Sequence, residues 1–176
     1  MVPMEGFAPD SEVLLVKGVK RAVDLVRGDV TVGGGVVACV VVVHAPPDAP
    51  FDVGWAGGAL VTPTTPVYDR AQSRWAHVNV VASANVPLVV NVLFRKDANQ
   101  GTLFFADGTQ VAVLAHGLVV APTLFGTERA RQALSRMPGF RRGRVEVAFE
   151  DVVRDPDTGE LVGLTPLMPP WWSCCG

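Results

Sequence analysis

Val36 to Val43 is an unbroken run of eight apolar residues, six of them valine. A membrane helix needs about 20 such residues, so this run is too short to span a bilayer. Valine is stiff at χ1 and suits a pleated, packed surface. The run therefore reads as a strand buried on both faces. The rest of the chain repeats this chemistry, with 33 valines, 18 glycines and 14 prolines among 176 residues. Glycine and proline punctuate such runs and break helices. A helix bundle is excluded on this ground. So is a doubly wound α/β fold, which needs several long helical stretches between its strands. The expected class is all-β, in one domain with a core of its own, since 49% of the residues are hydrophobic.

Turn residues mark the strand ends. Glu12 to Val16, Arg21 to Leu25 and Val30 to Val32 read as short strands, and Gly33 to Gly35 reverse the chain before the long run, which extends to His44. Three prolines in Ala45 to Pro50 stop it. Ala59 to Val61, Trp75 to Val81 and Pro87 to Phe94 follow. Thr102 to Ala106 and Gln110 to Leu114 flank Asp107-Gly108, which favours a type I′ hairpin turn. Thr127 to Met137 departs from the pattern. It holds good helix formers, with Ala130, Ala133, Leu134 and Met137 near one face, Thr127 as N-cap, and Pro138-Gly139 as a stop. Arg144 to Val153 and Leu161 to Leu164 then make a final hairpin around residues 155–159. The boundaries drawn from this are a β core over 1–120, a helix-plus-hairpin extension over 121–167 and a Trp/Cys tail over 168–176 containing Trp171, Trp172, Cys174 and Cys175.

Charge and cysteine narrow the function classes. The net charge is −2, so a broad cationic nucleic-acid footprint is not expected. Three cysteines, two of them adjacent, make no disulfide framework and point to a reducing, intracellular and cytoplasmic setting. Met1 to Phe7 has no apolar stretch and carries Glu5, unlike a signal peptide. His44, His77 and His116 show no ligand spacing, so neither a metal nor a cofactor is expected. Gly33 to Gly35 are followed by a strand and not by a helix, so they do not form a phosphate loop. Asp155 and Asp157 lack the later ligands of a calcium loop. The Trp/Cys tail reads as packing or as a partner contact.

Several pieces read together carry a resemblance. Gly6-Phe7-Ala8-Pro9-Asp10-Ser11-Glu12-Val13, then Lys17-Gly18, then Ala22 to Val30 (AVDLVRGDV), is similar to the opening of a Hint domain, the module shared by hedgehog proteins and inteins. Val61-Thr62-Pro63-Thr64-Thr65-Pro66-Val67 with Trp75 resembles that family's T-x-x-H block. Asn91 to Gly117, Thr123 to Thr127 and Met137 to Phe140 resemble the Vint subfamily, found with von Willebrand A domains. The likeness spans roughly residues 6–145. It implies a pseudo-symmetric β-horseshoe with one helix after it.

The resemblance also implies chemistry. A Hint domain breaks the peptide bond before its own first residue. That residue's thiol attacks the preceding carbonyl, forming a thioester as the amide nitrogen departs. The block's Thr and His hold the amide and protonate the nitrogen, and a terminal His assists later steps. In this chain the nucleophile's place is Gly6, which has no side chain. Thr62 matches the block's Thr, and the block's His is replaced by Thr65. The His of the family's Gly-His pair falls at Thr102, and His116 matches the terminal His. Ser11 lacks a base and Cys39 sits in the most apolar strand, so neither replaces the thiol. With Met1 five residues ahead of Gly6, little polypeptide is expected to be released. The expected function is a domain without self-cleavage that acts as a structural or protein-interaction module, its partner another protein or its own flanking polypeptide. The alternative is a cis-acting autoprocessing domain whose nucleophile at position 6 has been substituted.

Overall fold

A computed structural model describes residues 4–77, 83–96, 101–118, 124–158 and 161–165. Over these described residues the protein is mostly β with one α-helix, in several small sheets. Its centre is β3 (Val37–His44), paired antiparallel with β9 (Leu88–Phe94) and parallel with β12 (Arg144–Ala148). Two apolar clusters lie against opposite faces of this sheet. Val40 and Val42 join Val90, Val92 and Phe7 in the first. Val41, Val43, Val89 and Leu93 join the second, with Ala130, Leu134 and Met137. Burial on both faces is why β3 reads as a continuous apolar run. The register of β3 shifts between Val37 and Cys39. A bulge of this kind switches the face that alternate residues present. Accordingly Val37 belongs to the first cluster and Cys39 to the second.

The smaller sheets surround this centre. β1 (Glu12–Leu15) and β2 (Gly18–Arg21) form a hairpin. β4 (Phe51–Ala56) is flanked by β5 (Ala59–Val61) and β8 (Ala84–Val86). β6 (Pro66–Asp69), β7 (Arg74–His77), β10 (Thr102–Phe104) and β11 (Gln110–Ala112) form a four-stranded sheet in the order β10-β11-β6-β7. The helix α1 (Glu128–Ser135) packs into the second cluster, and β13 (Val152–Arg154) pairs with β14 (Leu161–Leu164). None of the described helices is long and apolar enough to cross a membrane.

Several local expectations are corrected. Arg21 to Leu25 is not a strand: β2 ends at Arg21 and Ala22–Asp24 is a 3-10 turn, so the strand lies three residues earlier. Arg144 to Val153 is not one hairpin arm. A 3-10 turn at Phe149–Asp151 divides it, and its first half pairs in parallel with β3. The helix begins at Glu128, and Thr127 sits at its N-cap without capping it. The Thr127 hydroxyl donates to the Leu124 carbonyl instead, 3.0 Å away. The Trp75 to Val81 strand is seen as β7 up to His77, the rest lying outside the described residues. So does the tail with Trp171, Trp172, Cys174 and Cys175.

The Asp107-Gly108 turn is not type I′. That turn needs positive φ at both central residues, and Asp107 is not among the described residues with positive φ, while Gly108 has φ +89°. Phe105 accepts from the Gly108 N–H at 2.8 Å and donates to the Thr109 carbonyl at 2.9 Å. This is a tight turn followed by a left-handed glycine in a bulge. Desolvation pushes the Asp107 carboxyl up, but hydrogen bonds from the Thr109 hydroxyl and from the Thr109 and Gly58 N–H groups outweigh it and hold the carboxyl below its ordinary 3.8. A depressed carboxyl stabilises the fold above its unfolded value, and the gain is lost as pH falls through the folded one. Asp107→Asn should therefore lower the melting temperature at pH 7. The gap to wild type should close below about pH 4 in a series of thermal melts.

Candidate functional site

The segment Met4 to Ala8 is wedged between β9 and β5. Phe7 exchanges backbone hydrogen bonds with Val90 at 3.0 and 2.9 Å, and Ala8 donates to the Leu60 carbonyl at 2.8 Å. The Phe7 ring is fully buried and meets Phe105 edge-on, with centroids 5.3 Å apart. This anchor fixes the peptide bond just before it, between Glu5 and Gly6.

That peptide bond is gripped at both ends by buried side chains. The Gly6 N–H donates to Thr65 Oγ1 at 2.8 Å. The Glu5 carbonyl accepts from Asn91 Nδ2 at 3.2 Å. Thr62 and Thr65 are 3% and 1% exposed, and Asn91 is 2% exposed. The Thr62 hydroxyl donates to the Met4 carbonyl, and the Thr62 N–H donates to the Gly6 carbonyl at 2.9 Å. Thr65 Oγ1 stands 2.9 Å from both the Gly6 carbonyl and Thr62 Oγ1. A hydroxyl has one proton to give. Thr62 spends its proton on Met4, so Thr65 serves either the Gly6 carbonyl or Thr62, and in both cases still accepts from Gly6. Buried backbone groups are expected to find such partners.

His116 reaches this site through one neighbour. Its Nδ1 accepts from the Leu118 N–H at 2.9 Å, which leaves the ring proton on Nε2. Nε2 faces Glu5 Oε2 at 3.5 Å, and both side chains are essentially buried. Local backbone aims the ring inward. Ala115 and Gly117 on either side both have left-handed φ, +60° and +67°. Gly101 passes so close that a Cβ there would lie 2.7 Å from His116 Cα.

Gly6, Thr62 and Thr65, singled out from the sequence, therefore converge directly, and His116 meets the side chain of Glu5 next to them. Sequence reading did not single out Asn91 or Glu5 as site residues. Asn91 interrupts an otherwise apolar strand between Val90 and Val92, and that interruption is the signal that could have found it. Gly6 has no left-handed φ, so an L-residue could adopt its backbone conformation. Its Cβ would, however, lie 3.1 Å from Val89 Cβ and from the Val90 carbonyl oxygen.

Of the other candidates, Thr102 opens β10 and lines a pocket together with His116. Cys39 is fully buried, and burial pushes its thiol up to about 12. At neutral pH such a thiol is protonated and unreactive. His44 pairs with Glu146 at 2.5 Å on the surface, and His77 ends β7. Among the described residues, no three His, Cys, Asp or Glu side chains gather as metal ligands would. No protein-family model matches this chain, and no curated protein matches it.

Proposed function

We propose that the chain is a degenerate Hint-type domain of the Vint kind. It retains the cradle for a scissile peptide, has lost self-cleavage, and serves as a structural or protein-interaction module. One observation carries the reading: the Glu5–Gly6 peptide is buried and held at its nitrogen and its carbonyl, while the residue that would attack it has no side chain. The acyl shift needs a thiolate to form a C–S bond to the Glu5 carbonyl carbon as the C–N bond breaks and the nitrogen takes up a proton. Gly6 supplies no sulfur. Thr65 supplies no acid either. It accepts a hydrogen bond from the amide N–H, which favours the intact planar amide over a departing amine.

The retained grip and the ordinary backbone of Gly6 also favour a second reading, an autoprocessing domain in which a native Cys at position 6 has been replaced. The packing of Val89 against Gly6 weighs against it. A reporter fused ahead of Met1 of the Gly6→Cys variant separates the two readings. Intact mass should remain that of the uncut fusion with and without added thiol. A fragment ending at Glu5 would overturn the proposal.

A further inference from the structure

An open groove of about 660 Å³ lies between residues 8–12, the β4–β5 hairpin and the turn at Phe105 to Asp107. Such a volume is in the range of ligand sites. Its most unusual wall is Trp55, which is 58% exposed from an outward position of β4. Leu60 is paired directly across from it on β5, so the two side chains share one face. Pro87 continues the apolar strip. Tryptophan is costly to leave in water, and an exposed apolar strip with a polar rim marks a contact surface.

Two features specify what the strip would contact. Ser11, which lines the groove, is 8% exposed, and its buried hydroxyl has no hydrogen-bond partner among the described residues. A buried hydroxyl is expected to be paired, and a backbone N–H or carbonyl brought into the groove would pair it. The rim is acidic. Asp10 shares Arg21 with Asp24, at 3.3 and 2.7 Å respectively. Glu12 stands beside them and makes no ion pair among the described residues. The Asp107 carboxylate is already occupied by Gly58 and Thr109.

We infer that this groove binds an extended basic polypeptide segment, with an Arg or Lys cation over the Trp55 ring facing Asp10 and Glu12, and its backbone paired with Ser11. Cations favour the face of tryptophan, and the neighbouring carboxylates add attraction. The inference gives chemistry to the interaction role proposed above, yet it rests on the groove alone. Failure to bind leaves the account of the Glu5–Gly6 peptide standing, and cleavage there would leave the groove intact.

The probe is the capped peptide Ac-Ala-Ala-Arg-Ala-Pro-NH2, added to the full isotope-labelled chain, with a Glu-for-Arg peptide as its counterpart. The readouts are the Trp55 indole N–H, assigned by its loss in Trp55→Phe, and the Leu60 amide. The Arg peptide should shift both resonances saturably, and binding should weaken with salt. The Glu peptide should not shift them. Trp55→Ala, read at Leu60, and Glu12→Lys should each weaken binding about five- to tenfold, and Ser11→Ala about fivefold. Both Trp55 and Glu12 are exposed, so these two variants keep the core. Equal response to the Glu peptide, no saturable shift, or undiminished binding by Trp55→Ala would overturn the inference. So would a Trp55 resonance that moves with protein concentration alone, which would assign the groove to a second copy of the chain.

Discussion

Gly6→Cys alone leaves the Glu5–Gly6 bond whole, and Gly6→Cys/Thr65→His forms a thiol-trappable product about 10²–10⁴-fold faster than the single variant. The factor is the usual contribution of a positioned general acid. The single variant regains a thiol but still faces Thr65, whose Oγ1 accepts the Gly6 N–H at 2.8 Å and offers the nitrogen no proton on departure. The new Cβ must also displace Val89, 3.1 Å away, by a few tenths of an ångström. Adding Val89→Ala to either variant relieves that crowding and separates lack of room from lack of an acid. The ratio between the double and single variants should persist on the Val89→Ala background. Intact mass after overnight incubation with excess thiol reads all four proteins. Rapid cleavage by Gly6→Cys alone would mean that Thr65 is no barrier, and the account of the lost chemistry would fail.

Phe7→Ala should cost about 3–5 kcal/mol of folding stability, the usual range for deleting a buried phenylalanine. The ring is fully buried in the first apolar cluster and meets Phe105 edge-on. Phe7 also bridges Val90 and Val61 through its backbone, so the cavity would open beside the junction of two sheets. Denaturant unfolding with unchanged slope measures the loss. A cost below about 1 kcal/mol would mean that the Met4 to Ala8 segment is not anchored as described, because surface-like positions fall in that range. Phe7→Leu, which keeps much of the volume, should recover most of the stability.

Both predictions turn on a segment whose importance was only partly legible in the sequence. The β3 strand was plain because burial on both faces makes an unbroken apolar run, and β9 was nearly as plain. β4 was missed because Asp52 and Gly54 interrupt it. β6 was missed because it opens at Pro66, tolerated at a strand's first residue. The parallel pairing of β12 with β3 joins residues about a hundred positions apart, which local pattern does not encode. The site divides in the same way. Gly6, Thr62, Thr65 and His116 stood out through a resemblance in motif order. Asn91 holds the Glu5 carbonyl across 86 positions, and only the bridge between Phe7 and Val90 brings the two together. The loss of the nucleophile was legible at once, since Gly6 is a single letter. The closing of Val89 over its place was not, because it is a matter of packing.

The central claim is that the Glu5–Gly6 peptide is held inside the protein by Thr65 and left intact. Hydrogen exchange at the Gly6 amide tests this most directly, compared between wild type and Thr65→Val, which keeps the side chain's shape and removes its hydroxyl. In wild type the Gly6 amide should exchange only through global unfolding, as slowly as the amides of β3. In Thr65→Val it should exchange faster than those β3 amides, since the buried N–H has lost its acceptor and local opening costs less. A Gly6 amide that exchanges in wild type at the rate of an exposed loop, or that is unmoved by Thr65→Val, would contradict the cradle and the functional reading built on it.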